Sequence, residues 1–311
     1  MTDVGTSTAI SVPVAQRTSR GTGVGRTFRE SRAAYMLLAP FLILFILVLA
    51  YPLLYSLYLS LFDATLNKTP TFVGDTNFTH LFTDAEFLTA LRNTVFFTVF
   101  VVIGETVIPL FLAIAMNEHF PFRTLFRTAY FLPVVTSWVV VSLIWSMLFG
   151  QQGLVNEFIQ VVGFSPQPFL SNSSQAMLII IAASIWKNLG YYMVIYLAAL
   201  QGVSQELYEA AAVDGATKWR QTWHIAIPAL RPVIYFVLTI TIIRSMQVFE
   251  QSFIITNGGP LNATLSLVQL LYRHAFVNLE FGYGSAIATF LLVVLVALAM
   301  FNRRVHDLIV Q

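Results

Sequence analysis

Long apolar runs separated by short polar segments dominate the chain. A helix needs about 20 consecutive apolar residues to cross a bilayer core. Runs of that order lie at residues 34–61, 93–116, 129–149, 176–200, 229–253 and 284–301. The pattern predicts an all-α polytopic membrane protein with six transmembrane helices. Pro40 and Pro52 fall in the first run and are expected to bend it or end its regular part. Arg244, Gln247 and Glu250 interrupt the fifth. Residues 1–32 are rich in Ser, Thr, Gly and Arg without an apolar face, which predicts a disordered basic tail. The run that follows is far longer than a signal peptide's core and has no small-residue cleavage site. The first helix, within residues 33–62, is therefore expected to stay as an uncleaved anchor ahead of a five-helix core at 90–305.

Composition agrees with the pattern. The 311 residues are 57% hydrophobic and only 10% charged, against roughly 25% charged in soluble domains. The absence of cysteine excludes disulfides and thiolate metal sites. His80, His119, His224, His274 and His306 are scattered, which argues against a zinc cluster. Gly21-Thr22-Gly23-Val24-Gly25 lacks the preceding strand and the Lys-Ser/Thr of a phosphate loop. No His-Glu-x-x-His occurs, and Gly282-Tyr283-Gly284-Ser285-Ala286 lacks the spacing of a nucleophile elbow. The chain is expected to be no enzyme, to bind no cofactor or metal, and to have no nucleic-acid partner.

Basic residues set an expected orientation. The tail carries Arg17, Arg20, Arg26, Arg29 and Arg32; later polar segments carry Arg123 and Arg127, then Lys218, Arg220 and Arg231, then Arg303 and Arg304. The intervening loops hold only Lys68 and Arg92, none, and Arg273. The positive-inside rule then puts both termini in the cytoplasm, a parity that six spans satisfy. The polar segment at 201–232 falls on the same side.

That segment has its own physics. Gln205–Val213 is strong helix former, and its alanine run leaves a smooth surface that another protein can approach. Asp214-Gly215 allows a turn through positive φ. Trp219, Trp223 and Ile227 follow at fourth-residue spacing as one apolar stripe of a second short helix. Pro228 and Pro232 are expected to set the start of the fifth span. Two short helices at an angle, rigidly joined to a transmembrane helix, can transmit a push. An interfacial amphipathic helix that only caps the bundle would share the local pattern.

Glu209, Ala210, Ala211, Asp214, Gly215, Ala216 and Pro228 stand at the spacing of the EAA loop, and the sequence resembles the permease subunits of ATP-binding-cassette importers in that respect. Ile227 replaces the usual Leu, and Thr222, with Trp223 beside it, occupies the usual aromatic position. Thr256-Asn257-Gly258-Gly259-Pro260, with Thr264 and Tyr272-Arg273-His274-Ala275-Phe276, is similar to the outer loop of the carbohydrate-uptake branch of the same superfamily. The likeness spans about residues 35–305. It implies the type I importer permease fold and a place in a prokaryotic plasma (inner) membrane. It also implies transport of a sugar, oligosaccharide or glycerol-phosphate-like polyol through half of a shared pathway. Two ATP-binding-cassette ATPase subunits, which would hold ATP and Mg, are the implied energy source. A second homologous permease and an extracytoplasmic solute-binding protein that meets the outer loops (62–92, 150–175 and 254–283) complete the implied assembly. An ion-gradient-driven secondary transporter is the alternative; it calls for inverted repeats, which the chain does not display.

Ionisable residues within spans usually face a cavity or pair internally. Lys187 lies roughly 17 Å and Arg244 roughly 13 Å below the outer ends of consecutive spans at 1.5 Å per residue. They fall in one layer and are expected to line a polar translocation cavity; pairing of Arg244 with Glu250, and of Lys187 with a backbone carbonyl, is the other reading. Asn188 and Tyr191 beside Lys187, and Thr241, Ser245 and Gln247 beside Arg244, join the candidates. By the resemblance these positions match sugar-contacting positions of maltose-type permeases. Glu105 is expected to bridge helices.

Overall fold

The computed structural model describes residues 35–118 and 121–310, with side chains through Arg304; the predicted tail, residues 1–32, lies outside the described residues. The chain falls into two compact units, residues 1–54 and 55–311. The first helix, α1 (Tyr35–Leu59), is continuous. Neither Pro40 nor Pro52 ends it, but its regular α-helical geometry is interrupted just before Pro52. A π-helical turn at Phe45–Ala50 immediately precedes Tyr51-Pro52. Proline has no amide for the carbonyl one turn back and its ring crowds that carbonyl; a widened i→i+5 turn lets the helix continue past it.

The second unit is helical, with a small hairpin in which β1 (Phe62–Asp63) pairs antiparallel with β2 (Thr71–Phe72). The short α2 (Thr76–Leu81) leads into α3 (Ala85–Asn117), which starts well before the predicted run. Asp84 accounts for the early start. Its side chain caps the helix by accepting from the Glu86 amide at 2.8 Å. The third run does not form one straight helix: α4 (Arg123–Val135) and α5 (Trp138–Leu148) meet at a 100° bend. Thr136 and Ser137 are extended there, and Ser137 Oγ caps α5 by accepting from the Val140 amide. After α6 (Leu154–Val161), the fourth run is realised as α7 (Ser173–Leu200).

Past α8 (Gln205–Val213), the helix α9 (Lys218–Met246) runs without interruption from the coupling region into the fifth run. The separate second short helix expected from sequence is thus the first turns of α9. Pro228 stands in the first turn of the regular α-helical stretch Ile227–Met246, behind a π turn, Thr222–Ala226, and Pro232 lies inside it; the prolines mark where regular geometry resumes, not where α9 begins. The fifth run then breaks after Met246, and the chain resumes as α10 (Glu250–Thr256). Finally α11 (Leu267–Tyr272) leads through a third π turn, Arg273–Val277, into α12 (Phe281–Val310).

The core sits where α3, α7 and α9 pack, around Ala113, Tyr192, Tyr196, Leu230 and Val237. A second apolar cluster joins the start of α3 to α11 and α12 through Phe87, Leu267, Leu270 and Ile287. The two re-aimed helices, α5 and α10, pack on each other. Gly190 of α7 lets the α4 backbone approach: a Cβ there would lie 2.1 Å from the Tyr130 carbonyl oxygen.

The Thr256–Pro260 motif is a folded knot. Asn257 and Gly258 take positive φ, and Thr264 Oγ1 donates to the Gly259 carbonyl at 2.8 Å. Ser252 Oγ lies 2.7 Å from Gln269 Oε1. Asn93 of α3 ties the knot down by donating to the carbonyls of Asn262 and Leu265 at 2.7 and 3.1 Å. Buried polar groups need partners, and this loop finds them within itself and in Asn93.

Candidate functional site

Two features at different depths of the second unit meet the sequence candidates. The first is the elbow between α8 and α9. Ser204 caps α8 by accepting from the Glu206 amide. At the other end the Ala216 amide donates to Ala211 at 2.9 Å and the Gly215 amide to Ala212 at 3.0 Å, with Gly215 at φ +77°. This pair of bonds is the Schellman arrangement. Thr217 then caps α9 by accepting from the Arg220 amide. Gln221 Nε2 clasps the elbow from inside, donating to the Ala216 and Tyr208 carbonyls at 3.3 and 3.5 Å. Burial, with Glu118 nearby, raises the Tyr208 phenol above its usual range.

The elbow is fixed internally yet open outward. Glu209, Ala210, Asp214 and Gly215 are exposed, Ala211, Ala216 and Pro228 half-buried. Val213 is 89% exposed, with Leu207 and Trp219 also uncovered. Of the expected stripe, Trp219 and Trp223 pack edge-to-face at 5.6 Å, and Trp223 meets Phe111 of α3. Behind the elbow a cavity of about 630 Å³, lined by Asn117, Glu118, Ser204, Tyr208, Lys218 and Gln221, separates it from the ends of α3 and α7. The surface ion pair of Lys218 with Glu118, at 2.9 Å, spans that gap.

The second feature is a cavity of about 350 Å³ at the two helix breaks, within the roughly 300–1,000 Å³ of small-ligand sites. Of the sequence candidates, Asn188, Arg244, Ser245 and Gln247 line it. Tyr191 lies against it: the Arg244 guanidinium sits 5.4 Å from the Tyr191 ring centroid. Thr241 is fully buried and its hydroxyl donates to the Leu238 carbonyl of its own helix, so it is not on the wall. Lys187 is also turned away. Its ammonium lies 3.4 and 3.3 Å from the carbonyl oxygens of Pro133 and Val134 and 5.0 Å from the Trp138 ring. It occupies the bend between α4 and α5, where the last carbonyls of α4 lack helical partners. The cationic layer read from sequence therefore divides: Arg244 faces the cavity and Lys187 holds the corner behind it.

Glu105 bridges helices, as expected: Asn188 Nδ2 donates to its Oε1 at 2.7 Å, joining α7 to α3. It also lines the cavity, as do Trp138, Ser184, Glu250 and Gln251, which sequence reasoning did not select. The signal for Glu250 and Gln251 was present in the polar interruption of the fifth run. Trp138 carried none, because only the bend brings it to the wall.

The inner-membrane-component model of binding-protein-dependent transport systems matches residues 105–308. The arabinooligosaccharides transport system permease protein AraP of Bacillus subtilis (strain 168) is 36% identical, over 97% of this chain and 96% of that protein. The lactose transport system permease protein LacF of Rhizobium radiobacter is 35% identical, over 86% and 91% respectively. Among solved structures, a chain of a bacterial ABC transporter involved in the import of the acidic polysaccharide alginate superposes with a TM-score of 0.83. Identity there is 25%, with 93% of this chain and 99% of that chain covered. The chain belongs to the family of binding-protein-dependent transport system inner membrane components, the permease subunits of ABC importers.

Proposed function

We propose that this permease forms half of a saccharide pathway through the cavity at the helix breaks, and that ATP-driven motion reaches it through the α8–α9 elbow. It is a multi-pass subunit of an ATP-driven sugar importer, as its relatives are; family membership leaves the ion-gradient alternative without support. The observation that carries the coupling role is the continuity of α9. One unbroken helix runs from the capped elbow at Lys218 to Arg244 on the cavity wall, so a displacement of the elbow is delivered to the wall. Two ATPase subunits holding ATP and Mg would engage the exposed Glu209–Gly215 surface. Their closure would rock the bundle between inward-facing and outward-facing forms. The elbow and both termini would then lie in the cytoplasm. A second homologous permease would supply the other wall, and an extracytoplasmic binding protein would deliver solute to the opposite end.

Uptake by the assembled importer should stop with vanadate and persist when the proton gradient is collapsed. Arg244→Leu should reduce uptake or alter substrate preference while nucleotide hydrolysis by the complex continues. Unchanged uptake together with unchanged preference would remove Arg244 from the pathway.

A further inference from the structure

The 100° bend between α4 and α5 leaves helix-end carbonyls that a side chain of another helix must satisfy. Carbonyls in the last turn of a helix have no amide ahead of them to accept from. Thr136 serves two of these: its hydroxyl donates to Leu132 and its amide to Pro133, each at 3.3 Å. The Val134 carbonyl accepts from Lys187 of α7 alone among the described residues, at 3.3 Å. The same ammonium lies 3.4 Å from the Pro133 carbonyl. Lys187 is 5% exposed, and a cation is well matched to helix-end carbonyls. Gly190, three residues on along the same face of α7, is where the α4 backbone lies closest.

Beyond the corner, the ammonium stands 5.0 Å from the ring centroid of Trp138, the first residue of α5. It is attracted by Glu250, the first residue of α10, and repelled by Arg244. Trp138 and Glu250 both line the cavity, whereas Lys187 is not on its wall. One buried cation thus engages the corner of one broken span and the opening residue of each helix that continues past a break. Those two helices, α5 and α10, pack on each other.

We infer that Lys187 is a positioning residue for transport: by holding the α4–α5 corner against α7 and attracting Glu250, it fixes where Trp138 and Glu250 stand on the cavity wall. It acts on the solute only through those two side chains. Its effect on uptake rests on the cavity being the saccharide pathway proposed above; its effect on the bend does not.

The test uses the assembled importer, this chain with its partner permease, ATPases and binding protein, in proteoliposomes. This chain has no cysteine, so with cysteine-free partners two spin labels, at Leu125→Cys on α4 and Met147→Cys on α5, report the distance across the bend. Both positions are exposed. Lys187→Met keeps the stem and removes the charge and its donors. It should shift or broaden that distance and cut uptake of a radiolabelled arabino-oligosaccharide at least about fivefold, the loss expected when one buried carbonyl is left without a partner. Lys187→Arg should recover part of both. Lys187→Met combined with Glu250→Gln should lose less than the product of the separate losses, because the two residues form one interacting pair; a merely structural lysine would not show that coupling. Should Lys187→Met fail to assemble, as judged by its melting transition, Lys187→Gln carries the same comparisons. An unchanged distance overturns the inference, as does a changed distance with full uptake, or losses that multiply in the double variant. If the unaltered complex does not take up the oligosaccharide, the saccharide reading fails, and the label distances alone then decide whether Lys187 holds the bend.

Discussion

Gly215 holds φ +77° at the end of α8, and nothing lies within 4 Å of where its Cβ would stand. A substitution there therefore acts through backbone strain alone, not through collision within the chain. For a non-glycine residue the left-handed conformation costs about 1–2 kcal/mol, with β-branched residues at the upper end because of their stiff χ1. Leaving that conformation gives up the Ala216–Ala211 and Gly215–Ala212 bonds that close the helix. A loss of about 2 kcal/mol lowers the population of the docked-competent elbow up to about 30-fold. Gly215→Val should thus cut uptake by one to one and a half orders of magnitude, while membrane insertion stays normal. Gly215→Asn separates strain from bulk, since asparagine tolerates this conformation but adds a larger side chain than alanine. It should keep most of the uptake. The assay is uptake by the whole importer in cells, with membrane content of the permease measured alongside. Normal transport by Gly215→Val would refute the strain reasoning; equal inactivity of Val and Asn would shift the explanation to crowding at the docked surface.

Two further expectations concern the bundle. Gly190→Ala forces a Cβ to within 2.1 Å of the Tyr130 carbonyl oxygen, and overpacking of this kind costs about 1–3 kcal/mol. The purified complex should melt earlier, and an unchanged melting temperature would mean that α4 and α7 part easily. At the far end from the elbow, burial works against ionisation of Asp84, but it is outweighed by hydrogen bonds from Tyr283 and from the Glu86 and Phe87 amides, with His80 adding to them. Its carboxyl is held below the usual range. A depressed carboxyl stabilises the fold above its unfolded pKa and ceases to do so as pH falls through the lower folded value. Stability should therefore drop below about pH 3.8, and Asp84→Asn should flatten that portion of the acid melt; an identical acid profile would contradict the assignment.

Apolar length and capping chemistry are local, and they were legible. Each apolar run became helix over most of its length, and Asp214-Gly215-Ala216 formed the turn its residues implied, because a glycine at positive φ is a common close of an α-helix. What could not be read was where helices fail inside an apolar run. Residues 129–149 contain no polar gap long enough to signal a 100° bend; Pro133 and Ser137 were the faint markers, and beyond the bend α5 packs on α10, a long-range contact that sequence does not display. Prolines misled in the opposite direction. Pro52 was expected to bend or end a regular helix, and Pro228 and Pro232 to start one; widened turns before Pro52 and Pro228 instead absorb the missing amide within longer helices. The expected layer of cations left the direction of each side chain undetermined. Whether Lys187 faced solvent or a carbonyl depended on α4, some fifty residues earlier in the chain. Glu250 reached the wall because of the break at residues 247–249, where sequence showed only an interruption.

The chain has no cysteine of its own, so a single Val213→Cys places one thiol at the most exposed apolar point of the elbow. Crosslinking from that thiol in the transport-competent importer, with membrane-impermeant reagents applied from each side, measures the coupling claim directly. The account predicts a covalent adduct with an ATPase subunit, its yield changing with nucleotide, and no labelling from outside the cell. Labelling from outside, or an elbow that never meets an ATPase while uptake proceeds, would contradict it.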